Sequence, residues 1–284
     1  MVVNATDGPT QGGERTDGRA SKQPSSVIWH DLECGSYAAD LPLWRELAAS
    51  AGATSRTPGP HAAVASSQAA GVLDVGAGSG RVALDLARHG HRVTALDLDA
   101  DLLAALRERA EGTDIETLCA DARTFALEQR EFALCIAPMQ TIQLLDGSAR
   151  RLQFLHRARA HLAPGGLLAC AIVTEIDEFD CYAGDIGPSP EIARVDGSSY
   201  ISRAMRVQVG KRVVRIERER GVLAPASAGA PALPSCERDV VELDRVGVEQ
   251  LQREALQVGL ASAGTRPIAA TEEHTASVAV IFHA

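Results

Sequence analysis

The sequence predicts an α/β protein built on a doubly wound, mostly parallel β-sheet. From residue 71 onward, short apolar runs alternate with segments whose apolar residues recur at helical spacing. The apolar runs carry few polar residues, which is typical of parallel strands covered by helices on both faces. Past residue 196 the pattern changes to longer, alternating strands, which predicts a small antiparallel β insert after the fifth strand, at about 196–246.

Five apolar strands and the helices between them make up the first part of the predicted sheet. Gly90 ends the helix at 81–89, and Asp99 caps the next helix, because a carboxylate there accepts hydrogen bonds from free helix amides. A helix at 248–258 follows the insert. The strands are predicted at 72–75, 92–97, 115–119, 132–137 and 167–173, in the insert at 200–209, 212–220 and 237–245, and finally at 264–270 and 277–282.

The chain divides into three predicted regions. Residues 1–26 are rich in Gly, Thr, Ser and charge without periodicity, and we expect a disordered N-terminal tail. Residues 27–70 form an N-terminal helical region in which the helical pattern extends to residue 49. Residues 71–284 form the main domain, which contains the antiparallel insert.

Composition and charge narrow the class of partner. The chain has 284 residues and a formal net charge of −9, and its arginines form no long basic run, so we expect no nucleic-acid partner. No apolar stretch reaches the length of a membrane span, and the N-terminus lacks the apolar core of a signal peptide. The six cysteines include no C-x-x-C pair, so no metal site is expected. We expect a cytoplasmic monomer or homodimer without a membrane partner.

The turn between the first strand and its helix is the most informative segment, and residues 72–81 read VLDVGAGSGR. Glycines let a backbone approach a ligand closely, and the helix N-terminus adds free N–H donors. The spacing G-x-G-x-G differs from the G-x-G-x-x-G of dinucleotide sites. Asp74 adds a carboxylate, which favours a ligand with a sulfonium and an ammonium group over a pyrophosphate, either directly or through water.

This turn resembles motif I of the class I S-adenosylmethionine-dependent methyltransferases, an acidic residue followed by x-G-x-G-x-G. The resemblance extends over about 72–173 and includes an L-x-P-G-G turn at 162–166. It implies that Asp97, at the end of the second strand, binds the ribose hydroxyls. It also implies that Asp121, after the third strand, holds the adenine together with the next backbone N–H.

The resemblance implies a seven-stranded sheet of the class I methyltransferase type, with S-adenosyl-L-methionine as cofactor. The activity it implies is methyl transfer to a small-molecule acceptor, by O-, N- or C-methylation. An N-terminal helix that closes over the cofactor would bring Tyr37 to it. The implied cofactor-binding residues are Asp74, Gly76, Ala77, Gly78, Gly80, Asp97, Leu98, Asp121, Ala122, Pro138 and Tyr37.

The segment after the fourth strand bears on the methyl acceptor. Many amino-directed members of the family carry two prolines and an aromatic residue there, whereas this chain keeps only Pro138. This difference argues against methylation of nucleic-acid bases. We expect Met139, Gln140 and Gln143 to line the substrate cleft by position. Arg203 shares a predicted strand face with apolar residues, where it either pairs with an acidic substrate or extends along a sheet edge.

A hydroxyl or ammonium acceptor must lose a proton, so a general base is expected unless positioning alone is sufficient. His274, Tyr37, His30 and Glu175 are the catalytic candidates, and for each histidine a purely structural role is the alternative. Two other functions stay open. One is an NAD(P)-dependent oxidoreductase on a similar sheet, and the other is a non-catalytic regulatory protein that binds S-adenosylmethionine.

Overall fold

Two β-sheets and their surrounding helices form the part of the chain described by the computed structural model, residues 23–54, 71–127, 131–223, 235–272 and 274–284. The helices are α1 (Ser25–Cys34), α2 (Leu41–Thr54), α3 (Arg81–Arg88), α4 (Ala100–Arg109), α5 (Ser148–Ala160) and α6 (Val248–Gln257). The strands are β1 (Val72–Val75), β2 (Val93–Asp97), β3 (Ile115–Cys119), β4 (Phe132–Ala137), β5 (Leu162–Ile172), β6 (Phe179–Asp180), β7 (Glu191–Val195), β8 (Ser198–Val209), β9 (Val213–Leu223), β10 (Ser235–Asp244), β11 (Ala261–Ile268) and β12 (Ser277–His283). Short 3₁₀ turns lie at Thr141–Leu144 and Cys181–Ala183.

The main sheet has seven strands in the order β11-β12-β5-β4-β1-β2-β3. β1 to β5 pair in parallel, and β12 is antiparallel to both β5 and β11. The strand order reverses between β1 and β4, which makes the carboxyl ends of these strands the position where ligands bind in open α/β sheets. The predicted doubly wound, mostly parallel seven-stranded sheet is therefore confirmed.

Helices cover both faces of the main sheet, as its continuous apolar strands require. On one face, Trp44 of α2 and Leu86 of α3 pack with Ile136 of β4. On the other face, Phe154 of α5 packs in a second cluster that includes Cys135 of β4. Because successive strand residues point to opposite faces, neighbouring residues of β4 contribute to two different cores.

The second sheet is antiparallel and follows β5, as predicted. Its strands lie in the order β10-β9-β8-β6, and β7 pairs with β8. The sheet begins at Phe179, earlier in the chain than the predicted insert at about 196–246. The strands β6 and β7 were not anticipated, and β6 has only two residues.

The N-terminal region contains two helices, α1 and α2, whereas one continuous helical pattern was expected. Gly35 follows α1, and Pro42 lies in the first turn of α2, where its missing N–H is tolerated. Helix α1 begins at Ser25, so it starts two residues before the end of the predicted disordered tail, 1–26. The rest of that tail, residues 1–22, lies outside the described residues.

Arg151 holds α5, α6 and the end of β10 together. Its side chain is 3% exposed, and its Nε and Nη2 each donate to Glu254 of α6 at 2.8 Å. Its Nη1 donates to Asp244 at the end of β10, where the backbone N–H of Gly147 also donates at 2.6 Å. All three charged groups are buried, so the attraction between opposite charges is needed to offset the free energy lost when each group leaves water.

We expect Arg151→Ala to lower the free energy of unfolding by about 3–5 kcal/mol, because it leaves two buried carboxylates without their cation. Arg253→Ala is the control, since Arg253 lies on an exposed face of α6 at 3.8 Å from Glu249. Loss of such an exposed pair costs about 0–1 kcal/mol. Urea unfolding followed by circular dichroism measures both values, and losses of equal size would contradict the role assigned to Arg151.

Candidate functional site

A bend of five residues, 76–80, connects β1 to α3. Gly76, Gly78 and Gly80 adopt φ values of +72°, +55° and +101° within it. This left-handed region is accessible mainly to glycine, because a Cβ atom would collide with the local backbone. The G-x-G-x-G spacing therefore encodes the backbone shape of the bend.

Neighbouring elements occupy the space in which Cβ atoms would lie. A Cβ on the first glycine would lie 2.6 Å from the side chain of Thr141, in the turn after β4. A Cβ on the second would overlap the imidazole of His30 on α1, and one on the third would overlap Leu106 of α4. Three elements therefore pack directly against the bend.

A cavity of about 560 Å³ opens beside the bend, where the chain leaves β1, β2, β3 and β4. Most of the residues predicted to bind the cofactor line it. These are Asp74, Gly76, Ala77, Asp97, Leu98, Asp121, Ala122 and Pro138. Gly78, Gly80 and Tyr37 are not part of the lining. We refer to this space as the main cavity.

Asp74 places a fully buried carboxyl group in the wall of the main cavity. No group among the described residues makes a hydrogen bond of ordinary geometry to either oxygen. Burial raises the pKa of Asp74 from 3.8 to about 7; Arg81 lowers this pKa, while the charges of Asp97 and Asp40 raise it. The backbone N–H of Ala83 on α3 still lies near enough to lower the pKa of Asp74, as the least of the contributions. A buried carboxyl group without a partner is costly unless a ligand pairs with it. The arrangement fits an ammonium group at this end of the main cavity.

Asp97 ends β2 with a carboxylate that the backbone holds in place. The N–H of Gly78 donates to Oδ2 at 2.7 Å, and the N–H of Asp99 donates to Oδ1 at 2.9 Å. Each carboxylate oxygen can accept about two hydrogen bonds, so each keeps capacity for a ligand donor. The geometry fits recognition of a pair of hydroxyl groups.

Asp121 follows β3, and its carboxylate is held by Arg123. The Arg123 Nε donates to both oxygens at 2.8 and 3.0 Å, Nη2 donates to Oδ2 at 2.5 Å, and the backbone N–H donates to Oδ1 at 2.8 Å. These hydrogen bonds lower the pKa of Asp121 below its ordinary value. Arg123 also lines the main cavity, a position that the sequence analysis did not anticipate.

Helix α1 is attached to the bend through Asp31. The Ser79 hydroxyl donates to Asp31 at 2.6 Å, and Arg109 of α4 donates to its two oxygens at 3.0 and 2.5 Å. His30 Nδ1 lies 3.2 Å from the Ser79 hydroxyl oxygen. Burial acts to raise the pKa of Asp31, but the hydrogen bonds from His30, Arg109 and Ser79 outweigh burial and hold it well below its ordinary value.

The same helix is attached to the second sheet through Glu33. Arg220 of β9 donates to both Glu33 oxygens at 2.7 and 2.8 Å, and the Ser202 hydroxyl of β8 donates at 2.7 Å. Trp29 meets Tyr200 edge-on, with ring centres 5.2 Å apart. Helix α1 therefore connects the glycine bend to the antiparallel sheet.

The four predicted catalytic residues lie in different places. His30 lines the main cavity. Glu175 and His274 line a separate depression of about 480 Å³, which lies between the end of β5 and the start of β12. Tyr37 is buried, and its ring centre lies 4.6 Å from that of His274. Burial raises the pKa of Tyr37. Tyr37 therefore lies behind His274 of the depression and behind Arg81 of the main cavity, and it does not itself line the main cavity.

Met139 and Gln140 line the main cavity, as expected for the segment after β4, but Gln143 does not. Gln143 is 2% exposed, and its amide nitrogen donates to the carbonyls of Val173 and Asp244 at 3.0 and 2.9 Å. Its side-chain oxygen accepts the N–H of Val173 at 2.8 Å. The expectation that Gln143 lines the cleft is corrected, because its amide joins β5 to the end of β10.

Arg203 lies on β8, away from the main cavity lining. The buried side chains of this strand are Tyr200, Ser202 and Ala204 before a shift of register, and Val207 after it. The strand face that contains Arg203 is therefore not the buried one at Arg203, although it is buried at Val207. The period-two pattern was misleading because the pairing register with β9 shifts after Ala204. Arg203 Nε donates to the carbonyl of Pro188 at 3.3 Å.

Sequence analysis missed several residues that line the main cavity, among them Arg81 and Thr141 as well as Arg123. Arg81 directly follows the third glycine of the bend, so its position was visible in the motif. The ion pair of Arg81 could not be predicted from the motif, because its partner Asp40 lies far away in the chain, in the segment before α2. Thr141 carries no sequence signal beyond its place after β4.

Residues 72–166 match the family of the methyltransferase domain. The matched range contains the glycine bend, Asp74 in β1, Asp97 at the end of β2 and Asp121 after β3. Residues 72–166 therefore form a methyltransferase domain, consistent with the predicted class I type. It is an enzyme domain, and its cofactor is S-adenosylmethionine, as predicted. The match favours the methyltransferase over the NAD(P)-dependent oxidoreductase.

Solved structures of methyltransferases share this fold. The sugar N-methyltransferase KedS8 from Streptoalloteichus sp matches with a TM-score of 0.63 at 16% identity, over 99% of this chain and 98% of that chain. A methyltransferase from Clostridium acetobutylicum gives 0.61 at 14% identity, over 90% and 96%. CalS10, an amino pentose methyltransferase from Micromonospora echinaspora, gives 0.55 at 24% identity, over 84% and 91%. No curated protein matches this methyltransferase.

None of the described helices of the methyltransferase is long and apolar enough to cross a lipid bilayer. Within the described ranges, no three His, Cys, Asp or Glu side chains are grouped so that they could hold a metal ion.

We expect Gly78→Ala to weaken binding of S-adenosylhomocysteine by at least about tenfold, because the new methyl group must displace His30 and with it α1. Gly90→Ala is the matched control. Gly90 also has a positive φ, +85°, but a Cβ there meets nothing within 4 Å. Both variants carry similar backbone strain, about 1–2 kcal/mol. Calorimetry measures the affinities, and an equal effect of the two substitutions would contradict the packing of α1 on the bend.

Proposed function

We propose that this methyltransferase transfers a methyl group to an amine nitrogen of a small, hydroxylated molecule such as an amino sugar. The depression between β5 and β12 supports this acceptor class. Among the described residues that line it, Glu175, Asp177 and Glu272 are carboxylates, and none is Lys or Arg. Such a wall attracts an ammonium group and repels a carboxylate or phosphate.

Hydroxyl groups make up much of the remaining lining. They come from Thr174, Thr271, Thr275 and Ser277. Because a hydroxyl both donates and accepts hydrogen bonds, such a surface suits a molecule with several hydroxyls of its own. KedS8 is named a sugar N-methyltransferase and CalS10 an amino pentose methyltransferase, which agrees with this proposal.

We propose further that the three aspartates of the main cavity hold S-adenosylmethionine as the family resemblance implies. Asp74 pairs with the ammonium group, Asp97 accepts hydrogen bonds from the ribose, and Asp121 with the N–H of Ala122 contacts the adenine. The Asp74 carboxyl group, which makes no hydrogen bond of ordinary geometry, fits this role, as does the exposure of Gly76 and Ala77 to the main cavity. When bound, the cofactor supplies a methyl carbon that its sulfonium activates for attack.

The acceptor nitrogen needs a free lone pair, so the ammonium must lose a proton. We assign this proton to His274, whose ring is tilted by 33° against that of Tyr37 with the ring centres 4.6 Å apart. Tyr37 also contacts Arg81 of the main cavity, so the depression and the main cavity adjoin across this side chain. Glu175, in the same depression, orients the ammonium by charge.

Helix α1 covers the glycine bend and excludes water from one side of the main cavity. His30, which lines that cavity, positions α1 against Ser79.

The acceptor class is tested with three matched sugars that carry an amine, a hydroxyl or a carboxylate at one position, and with S-adenosylmethionine labelled in its methyl group. We expect label on the amine sugar alone. Glu175→Gln should raise KM for the amine at least about threefold, because it removes one attractive charge at the depression. Glu249→Gln, on exposed α6, is the charge-matched control. Preferred labelling of the hydroxyl or carboxylate sugar would contradict the amine proposal.

The role of Asp74 predicts a coupling between binding and pH. Burial raises the pKa of Asp74 to about 7, so the free protein holds this proton below that pH. An ammonium group that pairs with the carboxylate lowers the pKa, so S-adenosylhomocysteine should release a proton on binding, and its affinity should rise with pH up to about 7.

Calorimetry in two buffers with different ionisation enthalpies measures the released proton. Asp74→Asn keeps the shape of the side chain and should abolish the release. Asp85→Asn is the control, because Asp85 pairs with Arg45 outside the main cavity lining. If Asp74→Asn still releases a proton when S-adenosylhomocysteine binds, the pairing of Asp74 with the ammonium group is contradicted.

A further inference from the structure

Arg81 is a nearly buried cation in the wall of the main cavity. Its side chain is 9% exposed, and it is held by Asp40, which is 1% exposed. Nη1 and Nη2 donate to the two Asp40 oxygens at 2.5 and 2.8 Å, and Nη1 also donates to the carbonyl of Tyr37 at 2.8 Å. The guanidinium carbon lies 5.1 Å from the centre of the Tyr37 ring.

These contacts leave part of the guanidinium available. An arginine side chain has five N–H groups, of which the bonds to Asp40 and Tyr37 use three. The structure describes no protein acceptor for the other two. Asp74 lines the same cavity, and apart from the more distant N–H of Ala83 no donor among the described residues reaches its carboxyl oxygens.

The two groups together have the chemistry of an amino-acid recognition site. An α-amino acid carries an ammonium and a carboxylate on one carbon, and Asp74 and Arg81 offer one partner to each. We propose that Arg81 binds the α-carboxylate of the methionine part of the cofactor, with Asp40 as its positioning residue. This assignment rests on the proposed pairing of Asp74 with the ammonium group.

The preorganisation of Arg81 supports a role in recognition. Because Asp40 and Tyr37 already hold the guanidinium, little side-chain entropy is lost when a carboxylate binds. A charge-assisted hydrogen bond to a carboxylate is also stronger than one between neutral groups. A purely structural Arg81 would only tie α3 to the segment before α2. In that case, its loss would affect all ligands of the main cavity alike.

Three ligands separate these two roles by calorimetry on the full chain. S-adenosylhomocysteine has the ammonium and the carboxylate, its decarboxylated analogue has only the ammonium, and methylthioadenosine has neither. We expect Arg81→Gln to weaken S-adenosylhomocysteine between about tenfold and a hundredfold, and to change the other two by less than about twofold. Arg81→Lys should give an intermediate loss, because a lysine keeps the charge without the planar pair of donors.

Arg45→Gln is the matched control, because Arg45 ties α2 to α3 through Asp85 at 2.7 and 2.5 Å and does not line the main cavity. It should leave all three affinities unchanged. Equal losses for the three ligands in Arg81→Gln, or no loss, would overturn the proposal. If the variants do not fold, the wild-type protein still tests the proposal. Equal affinities of the wild-type protein for S-adenosylhomocysteine and its decarboxylated analogue would overturn the proposed carboxylate contact. No acceptor is present in these measurements, so their outcome is independent of the proposed amine class.

Discussion

The left-handed glycine bend between β1 and α3 is the constraint on which the rest of the site depends. Three of its five residues occupy backbone conformations that suit glycine, and α1, α4 and the turn after β4 fill the space that side chains would need. The bend also sets the neighbouring charges. The N–H of Gly78 holds the Asp97 carboxylate, and Asp74 precedes the bend with its carboxyl group buried. The glycine bend therefore determines both the shape of the main cavity and the position of the charged groups beside it.

Helix α1 joins this bend to the antiparallel sheet through two carboxylates that are two residues apart. Successive helix residues are rotated by about 100°, so residues two apart point to nearly opposite sides. Asp31 consequently meets Ser79 and Arg109 of the main domain, while Glu33 meets Arg220 of β9. Both carboxylates have pKa values held below their ordinary range despite burial, because hydrogen bonds from their partners outweigh the loss of water. The helix is thus fixed on both sides by compensated charge.

The parts of the fold that sequence analysis predicted are those controlled by local chemistry. The strands β1 to β4 were placed correctly because the apolar residues that mark each strand lie within the segment itself, whereas β5 begins at Leu162, before its predicted start at 167. The Asp99 carboxylate accepts the N–H groups of Asp101 and Leu102, as its capping role requires. The errors concern distant partners. Gln143 was expected at the cleft by its position after β4, but its amide satisfies Val173 and Asp244. The inward face of β8 was displaced by a shift of register that depends on pairing with β9.

The sequence by itself determined the parallel sheet, the bend and the order of Asp74, Asp97 and Asp121, because the period of apolar residues and the backbone freedom of glycine act within a few residues. Only the tertiary structure decided which charges are compensated. Arg81 pairs with Asp40 from the segment before α2, and the Asp74 carboxyl group makes no hydrogen bond of ordinary geometry to the described residues. These differences arise from burial and from contacts between distant segments. The energy of a charged group depends on what surrounds it in space and not on its neighbours in the chain.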